Sequence, residues 1–385
     1  MRIAYVTETY PPELNGVSLT VERSVAFLRG RGHHVQLIRP RQPGEAARDD
    51  RDEWRTGGLP IPMYRDLRFG LALPGAVRAR LATSRPSLVH LATPGPLAWA
   101  ALGAARSLGI PVASEFRTNF HQYSRFYGLG ALASPIEALL RRFHNRSTLT
   151  FVPTHALERE LGARGFEHLA VVGRGVDTTR FDPARRSAEL RAAWQVGDAP
   201  VLITVGRIAA EKNVELVLRA FAAARERRAG LQLVVVGDGP LRAKLEAAHP
   251  EVRFVGVKRG DELAACYASA DAFAFASLSE TFGNVTLEAL ASGLPVVAFD
   301  VAAAAEHVVD GRSGALVPAG DDAAFIEAVA RVATLPEAEL AAMRTRALTA
   351  GRQAQWSDVL GRLEAHLHAA AAAPHERSEH VAAAA

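Results

Sequence analysis

Short apolar runs recur along the chain, and most are followed by a loop and then by apolar positions at helical spacing. The runs lie at residues 3–9, 35–39, 88–91, 111–116, 149–153, 200–205, 231–236, 252–257, 272–276 and 295–299. Such runs, bounded by turn residues, are typical of strands buried in a parallel sheet. Their alternation with helices predicts an α/β fold in each half of the chain.

The stretch 277–300 joins two of these strands and carries the clearest chemical pattern. It contains a loop with Gly283, then a predicted helix at 285–291. Ligands of parallel sheets bind at the carboxyl ends of the strands, where Glu280 falls beside a helix N-terminus. Glu288 follows eight residues later, and two carboxylates so placed can accept hydrogen bonds from a polyol. From spacing alone, a dipole-stabilising Glu and a solvated helix Glu are the favoured interpretation.

Length and composition predict a two-domain protein. At 385 residues and 49% hydrophobic residues, the chain can build two large cores. The single cysteine, Cys266, excludes a disulfide framework and a cysteine-based metal site. No apolar run reaches the length of a membrane span, and the first strand is too short for a signal peptide. We therefore expect a cytoplasmic protein.

The charge is unevenly distributed. Residues 1–185 hold 25 arginines, no lysine and 16 acidic residues, a net charge of +9. Residues 186–385 hold 20 basic and 25 acidic residues, a net charge of −5. A basic half fits an anionic partner such as nucleic acid, lipid or phosphate, and it equally fits a solvated arginine-rich surface.

A cationic loop follows the strand at 200–205. It contains Gly206, Arg207 and Lys212 and leads into a helix that starts at Val214. Two cations facing a helix N-terminus can bind a diphosphate and stabilise it as it leaves, although they could also be ordinary surface residues. The next strand ends in Gly237-Asp238-Gly239, which is not a G-x-G-x-x-G sequence and gives no support for NAD binding.

Two loops of the first half are candidate ligand contacts. Asn15 and Gly16 lie between the first strand and the first helix, where backbone N–H groups can meet phosphate. The exit of the strand at 111–116 is dense in hydrogen-bonding groups, among them Arg117, Asn119 and His121. Arg117 could bind a phosphate or an acceptor anion.

The segment 135–146 is an amphipathic helix with a basic end. One face carries Ile136, Leu139, Leu140 and Phe143, and the end carries Arg141, Arg142 and Arg146. A basic amphipathic helix can lie on an anionic membrane, which would make the protein peripheral to the inner face of the membrane. The same pattern fits a helix packed on a core with one solvated face.

The full wording of the central stretch resembles a known family. Glu280-Thr281-Phe282-Gly283-Asn284 with Glu288 resembles the E-x7-E motif of retaining GT-B glycosyltransferases of family 4. The N-G-V loop at 15–17, the R-G-V-D sequence at 174–177 and the G-R…K spacing extend the resemblance over most of the chain. It implies two Rossmann-like domains that face each other across a cleft. The expected limits are 1–185 for the acceptor domain and 186–351 for the nucleotide-sugar domain. A helix at about 352–368 is expected to return to the first domain, and 369–385 to form a low-complexity tail.

The resemblance also implies roles for residues. Arg207, Lys212 and Glu280 would be catalytic. The donor would contact Gly16, Gly206, Lys258, Phe282, Gly283, Asn284, Val285 and Glu288. The acceptor or the sugar would contact Asn15, Arg117, Asn119 and His121. Relatives carry a histidine at the position of Arg117, so the contact made there differs in this chain.

The implied activity is a retaining α-hexosyl transfer. The motifs most resemble those of enzymes that transfer mannose from GDP-mannose to a lipid or glycan. A UDP-sugar-dependent glycolipid synthase and a GT-B sugar-nucleotide epimerase are the alternatives, and a non-catalytic binder of anionic surfaces is a third. We expect no metal or other cofactor and no nucleic acid partner. The triplet Asp50-Arg51-Asp52 is interpreted as a solvated loop.

Overall fold

The computed structural model describes residues 1–13, 16–61, 64–117, 133–280 and 282–372. The chain forms two compact units, Met1–Gly173 with Leu360–Ala385 (the N-terminal domain) and Arg174–Val359 (the C-terminal domain). The sequence placed this boundary after residue 185. It falls earlier because residues 174–185 pack within the C-terminal domain. There Val176 N–H donates to the Ala354 carbonyl at 2.8 Å, and the Phe181 ring contacts Tyr267.

The N-terminal domain is built on a sheet of order β4-β3-β2-β1-β5-β6-β7-β8. All pairs are parallel except β3 with β4, an antiparallel pair that the sequence did not predict. The strands are β1 Arg2–Val6, β2 His34–Pro40, β3 Glu53–Ile61, β4 Tyr64–Leu71, β5 Leu88–Leu91, β6 Val112–Glu115, β7 Leu149–Val152 and β8 Leu169–Val171.

Helices cover this sheet and supply its core. They are α1 Gly16–Gly30, α2 Pro74–Ser84, α3 Pro96–Ser107, α4 Ala133–His144 and α5 His155–Ala163. Val77 and Leu81 of α2 pack with Leu97 and Ala101 of α3 in one buried cluster. The end of the last helix also belongs here, since Glu364 lies 2.7 Å from His33 Nε2 and accepts from Arg31 Nε at 3.2 Å.

The C-terminal domain has an all-parallel sheet of order β11-β10-β9-β12-β13-β14. The strands are β9 Val201–Val205, β10 Gln232–Val236, β11 Arg253–Phe254, β12 Ala272–Phe275, β13 Val296–Phe299 and β14 Gly314–Val317. The helices from residue 188 onwards are α6 Ala188–Ala193, α7 Val214–Arg227, α8 Arg242–Ala248, α9 Gly260–Ala268, α10 Asn284–Ala291, α11 Ala302–His307, α12 Asp322–Ala333, α13 Glu337–Arg352 and α14 Trp356–Ala372.

Two predicted elements differ in length from those observed. The strand expected at 252–257 is only Arg253–Phe254, because the chain turns at Gly256, whose φ is +73°. The region expected to be helical from 321 to 363 consists of α12, α13 and the start of α14. Pro336 separates the first two, since its φ and ψ of −54° and 146° are not helical.

Each sheet has a switch point, a strand from which the chain continues first to one side of the sheet and later to the other. In the C-terminal domain β9 lies between β10 and β12, so the chain leaves β9 on one side and returns to it on the other. In the N-terminal domain β1 has the same position between β2 and β5. Crevices at such switch points are where open α/β sheets bind ligands.

Candidate functional site

The cationic loop and the Glu280 loop leave the two strands of the C-terminal switch point. Gly206 and Arg207 follow β9, and Ser277 and Glu280 follow β12. The loops that carry Gly206 and Glu280 are far apart in sequence but are therefore neighbours at the carboxyl-terminal edge of the sheet. This is the place that the sequence predicted for the donor.

Glycines let the loops at this edge approach each other closely. A Cβ atom on Gly237 would lie 1.9 Å from the Gly206 carbonyl oxygen, and one on Gly239 would lie 2.4 Å from the Ile208 carbonyl oxygen. Backbone hydrogen bonds continue past the strands, with Gly206 N–H donating to Val236 at 3.0 Å. The loop that carries Arg207 is thus fixed by backbone contacts.

Lys212 and Glu280 form an ion pair at the centre of the site. Ser277 Oγ donates to Glu280 Oε1 at 2.9 Å, which fixes the carboxylate. The Lys212 ammonium lies 5.9 Å from the Phe275 ring centroid, within range of a cation–π contact. The residue predicted to hold phosphate and the residue predicted to orient the sugar are therefore adjacent, as the two parts of a nucleotide sugar are.

Arg207 is held less tightly. Its side chain is 57% exposed, and its guanidinium lies 3.7 Å from Glu211. Glu211 is in turn tied to the other loop, since its carbonyl accepts from Leu278 N–H at 3.0 Å. Arg207 thus has room to reorient toward an anion beside Lys212.

The N-terminus of α10 offers unused hydrogen-bonding groups. Gly283 precedes the helix with a φ of +87° and supplies no side-chain cap. Asn284 Oδ1 is buried, and within the described residues it has no hydrogen-bond partner. The uncapped N–H groups of this helix can donate to a ligand phosphate, and Asn284 Oδ1 can accept a hydrogen bond from a ligand hydroxyl. The other two predicted donor contacts here are Phe282 and Val285. Phe282 is buried, and its carbonyl accepts a hydrogen bond from Ala303 N–H at 2.7 Å. Val285 is half-buried in the first turn of α10.

Glu288 lies one turn further along α10 and is half-buried. Its Oε2 accepts a hydrogen bond from the Tyr267 hydroxyl at 3.0 Å. Burial raises the pKa of Glu288 to about 7, and the Tyr267 hydrogen bond opposes this shift only in part. Near neutral pH the carboxyl can therefore both donate and accept, which suits a ribose diol.

Lys258, predicted to border the nucleotide base, lies on the loop after β11. The same loop reaches the site edge, because the Gly256 carbonyl accepts from Gly237 N–H at 2.9 Å. Lys258 Nζ is 4.0 Å from Glu262, a long contact that leaves the ammonium available.

In the N-terminal domain only part of the prediction can be placed. Gly16 is the exposed first residue of α1. Asn15, Asn119 and His121 lie outside the described residues. Arg117 is described, and its guanidinium pairs with the Glu115 carboxylate rather than projecting freely.

Sequence reasoning missed the partners of Arg117. Glu115 accepts from the Tyr5 hydroxyl at 3.2 Å and lies 2.5 Å from His90 Nε2. Burial opposes the ionisation of Glu115, but Arg117 and His90 outweigh it and lower its pKa to about 2. His90 Nδ1 and Arg117 Nε are buried without a partner in the described part of the chain. The signal was present in the sequence, since His90 and Glu115 are titratable residues within two strands predicted to be buried.

A second missed residue is Glu8, which follows β1 at the N-terminal switch point. Its carboxylate accepts from Leu97 N–H at 2.9 Å and from Gly70 N–H, so it occupies the N-terminus of α3. Burial raises the pKa of Glu8 to about 7 despite these bonds. The anion position at this helix is thus filled by the protein's own carboxyl.

Two surface predictions have clear outcomes. Asp50 forms a turn, accepting from the N–H groups of Asp52 and Glu53 at 2.8 Å each, as expected for a solvated loop. Of the two interpretations of α4, the structure supports a helix packed on the core, because Leu140 and Phe143 are buried in cores of the N-terminal domain. Only Leu139 of that face is largely exposed, at 54%.

Two family models match the chain. The Glycosyltransferase Family 4 model covers residues 14–180, and the Glycosyl transferases group 1 model covers residues 199–334. A GDP-mannose-dependent alpha-mannosyltransferase of Mycolicibacterium smegmatis is 38% identical over 322 residues, which is 82% of this chain and 84% of that protein. A protein of the same description from Mycobacterium tuberculosis is 35% identical over 375 residues, 96% of this chain and 97% of that one.

Among solved structures, Anabaena HepE in complex with UDP has a TM-score of 0.73 at 16% identity, over 96% of this chain and 100% of that one. The fold and the site define a glycosyltransferase of the GT-B class. The chain belongs to glycosyltransferase family 4.

Proposed function

We propose that the protein transfers mannose from GDP-mannose to a lipid or glycan acceptor, with retention of the α configuration. The observation that carries this is the Lys212–Glu280 ion pair at the C-terminal switch point, with Arg207 on the loop after β9 and Glu288 on α10. The descriptions of the relatives supply the identity of the donor.

In this proposal the cationic residues bind the diphosphate and the carboxyl groups bind sugar hydroxyls. A bound diphosphate competes with Glu280 for the Lys212 ammonium and draws Arg207 toward it, because both cations are stabilised by a phosphate oxygen. Glu280 is then free to accept hydrogen bonds from the hexose hydroxyls. Glu288 holds the ribose, and the first turn of α10 supplies N–H groups to the phosphate.

The chemical step breaks the bond between the sugar C1 and the β-phosphate oxygen. The acceptor hydroxyl attacks C1 on the face that the phosphate leaves, and its proton passes to the departing phosphate oxygen. Negative charge grows on the diphosphate during this step. Lys212 and Arg207 therefore stabilise the transition state more than the ground state, which is the requirement for catalysis.

The acceptor side belongs to the N-terminal domain. Its net charge fits an anionic surface, and we place the enzyme in the cytoplasm at the inner face of the membrane. Among the described residues, no helix has the length and apolar character to cross a bilayer.

Thermal shift against GDP-mannose, UDP-glucose and ADP-glucose tests the donor. A donor that binds the folded state raises the melting temperature, so GDP-mannose should give the largest shift. Incubation with GDP-[14C]mannose and membrane lipid extract should then give a labelled lipid that α-mannosidase cleaves. A larger melting-temperature shift with UDP-glucose would indicate that UDP-glucose, and not GDP-mannose, is the donor. Release of free GDP without any acceptor-linked sugar would favour an epimerase or a hydrolase.

A further inference from the structure

Three side chains able to ligate a metal ion meet at one place in the N-terminal domain. His33 follows α1, and Glu364 and His368 lie one turn apart on α14. One ligand atom of each residue lies within 4.8 Å of the ligand atoms of the other two. None of the three residues belongs to the donor site, so their convergence needs a separate explanation.

The His33 ring is held in place by the end of α1. Gly32 has a φ of +83°, and the next residue, His33, donates its N–H to the Leu28 carbonyl at 3.0 Å, as at many helix C-termini. The His33 side chain is only 6% exposed, and its Nδ1 lies 2.9 Å from Met1 N. Nε2 is therefore directed toward Glu364.

An ion pair accounts for two of the three residues. Glu364 Oε1 lies 2.7 Å from His33 Nε2, and Glu364 Oε2 accepts from Arg31 Nε at 3.2 Å. His368 has no part in this pair. It is exposed, its ring centroid lies 5.3 Å from that of His33, and among the described residues it makes no hydrogen bond or ion pair. A second imidazole beside the pair is what an ion pair alone leaves unexplained.

We propose that His33, Glu364 and His368 bind one divalent transition-metal ion of the zinc type, which stabilises the contact between α14 and the turn after α1. Two imidazoles and one carboxylate form a known zinc donor set, with water as the fourth ligand. Glu364 and His368 have the i, i+4 spacing that places two ligands on one helix face. Because closed structural zinc sites supply four protein ligands, this site binds more weakly and reversibly.

The observed arrangement needs only small changes to coordinate the ion. Tetrahedral ligands at about 2.1 Å from zinc lie about 3.4 Å from one another. The Glu364–His33 pair therefore widens, and His368 moves inward, as its exposed side chain permits. Glu364 Oε2 stays with Arg31. His33 Nδ1 carries the ring hydrogen and donates it to Met1 N, so zinc binding displaces a proton, and these outer contacts orient the ligands.

The ion joins two segments that the chain itself leaves far apart. His33 and Glu364 are separated by 331 positions in the sequence. A cross-link over such a long loop restricts the unfolded chain, and an ion that binds only the folded state adds to stability by mass action. The site therefore acts on the fold of the N-terminal domain, and the transfer reaction does not require it.

Zinc binding is measured on the full chain, produced without a histidine tag and dialysed against EDTA. Equilibrium dialysis with ZnCl₂ followed by elemental analysis should give one zinc ion per chain, and zinc should raise the melting temperature. MgCl₂ at the same concentration should leave the melting temperature unchanged, since magnesium prefers oxygen ligands. Absence of zinc binding, or an equal effect of magnesium, would overturn the proposal.

His368→Ala is the decisive variant, because the structure gives His368 no other polar contact. Its zinc affinity should fall on the order of 100-fold, at least as much as when an outer partner of a metal ligand is lost. Its melting temperature without metal should equal that of the parent. His34→Ala is the matched control, since His34 is an exposed histidine 3.6 Å from Asp52 and outside the cluster. Parent-like zinc binding in His368→Ala, or an equal loss in His34→Ala, would contradict the site.

Hydrogen exchange tests the stabilising role. Zinc should slow amide exchange at the end of α14 in the parent and have no effect there in His368→Ala, because only the bound ion joins this turn to His33. Peptides from α7 of the C-terminal domain are the internal control and should exchange equally with and without zinc. One bound zinc ion per chain without slower exchange in α14 would overturn the stabilising role.

Mannosyl transfer measured on the same proteins separates this inference from the proposed function. Below its melting temperature, His368→Ala should transfer mannose at the parent rate with or without EDTA. Zinc binding without any GDP-mannose binding would contradict the proposed donor and support the metal site. GDP-mannose binding without zinc binding would contradict the metal site and leave the transferase supported.

Discussion

At the scale of single residues, the feature with most consequences is the ion pair between Lys212 and Glu280. The family resemblance implied a separate role for each residue, Lys212 toward phosphate and Glu280 toward sugar. Their pairing holds both side chains in place before the donor arrives. Arg207, being largely exposed, can be removed with little effect on folding.

The phosphate clamp is tested by Arg207→Ala and Lys212→Ala. We expect each variant to lose on the order of 10²-fold in kcat, as when one transition-state charge partner is removed. The measurement is steady-state mannosyl transfer from GDP-mannose. Lys244→Ala, an exposed lysine on α8, is the control and should keep the parent rate. Near-normal rates in both clamp variants would contradict the assignment.

Glu288 makes a prediction about pH. Its pKa is raised from 4.5 to about 7, so the native state keeps a proton that the unfolded chain releases at lower pH. Its contribution to stability is therefore complete below about pH 4.5 and is lost as the pH rises through about 7. Glu288→Gln keeps an acceptor for Tyr267 and removes this loss.

Relative to the parent, Glu288→Gln should gain on the order of 2 kcal/mol in the free energy of unfolding between pH 5 and pH 8. Urea denaturation at the two pH values measures this difference. The contribution of Glu8 cancels, since both proteins carry it. A constant difference between the proteins across this range would show that Glu288 ionises normally.

At the scale of elements, the C-terminal site is shaped by how closely the loops after β9 and β10 approach. Gly237 has a φ of +143°, and a Cβ atom there would overlap the Gly206 carbonyl. Backbone overlap of this kind cannot be relieved by rotating a side chain, so the loop has to move.

We therefore expect Gly237→Ala to lower the free energy of unfolding by more than about 2 kcal/mol, in the range seen for strained backbone positions. Thermal denaturation monitored by circular dichroism is the measurement. Gly162→Ala, at an open helical site, should raise stability by about 0.5–1 kcal/mol because alanine favours the helix. Parent-like stability and GDP-mannose affinity in Gly237→Ala would show that the close approach is not required.

At the scale of the whole molecule, the two halves of the chain carry opposite net charges, +9 over residues 1–185 and −5 over residues 186–385. The domain that is expected to bind a diphosphate is the acidic one, so its phosphate chemistry depends on a few placed cations. The arginine excess of the other domain fits the anionic surface that we proposed for the acceptor side.

Independence from metal is the prediction at this scale. With Arg207 and Lys212 assigned to the departing diphosphate, mannosyl transfer should persist in EDTA at the rate seen without chelator. The assay is product formation after dialysis against EDTA, with and without added Mn²⁺ or Mg²⁺. Loss of product formation in EDTA and its recovery with Mn²⁺ would show that a metal ion takes part in catalysis.

Sequence patterns were enough to predict the α/β class, the GT-B fold and the loops that carry the candidate site. Buried strands and helix starts leave local patterns, because apolar periodicity and glycine preferences act over a few residues. The E-x7-E stretch could be recognised for the same reason, since Glu280 and Glu288 lie on one loop and one helix.

Which of these residues contact one another depends on how distant segments pack in the folded chain. Lys212 pairs with Glu280 because β9 and β12 are neighbours in the sheet, a fact that no local pattern contains. Arg117 is neutralised by Glu115, and Leu140 and Phe143 are covered, because burial depends on what packs from distant segments. An amphipathic pattern records that a helix has an apolar face, but the contacts made across the fold determine whether that face meets the core or the membrane.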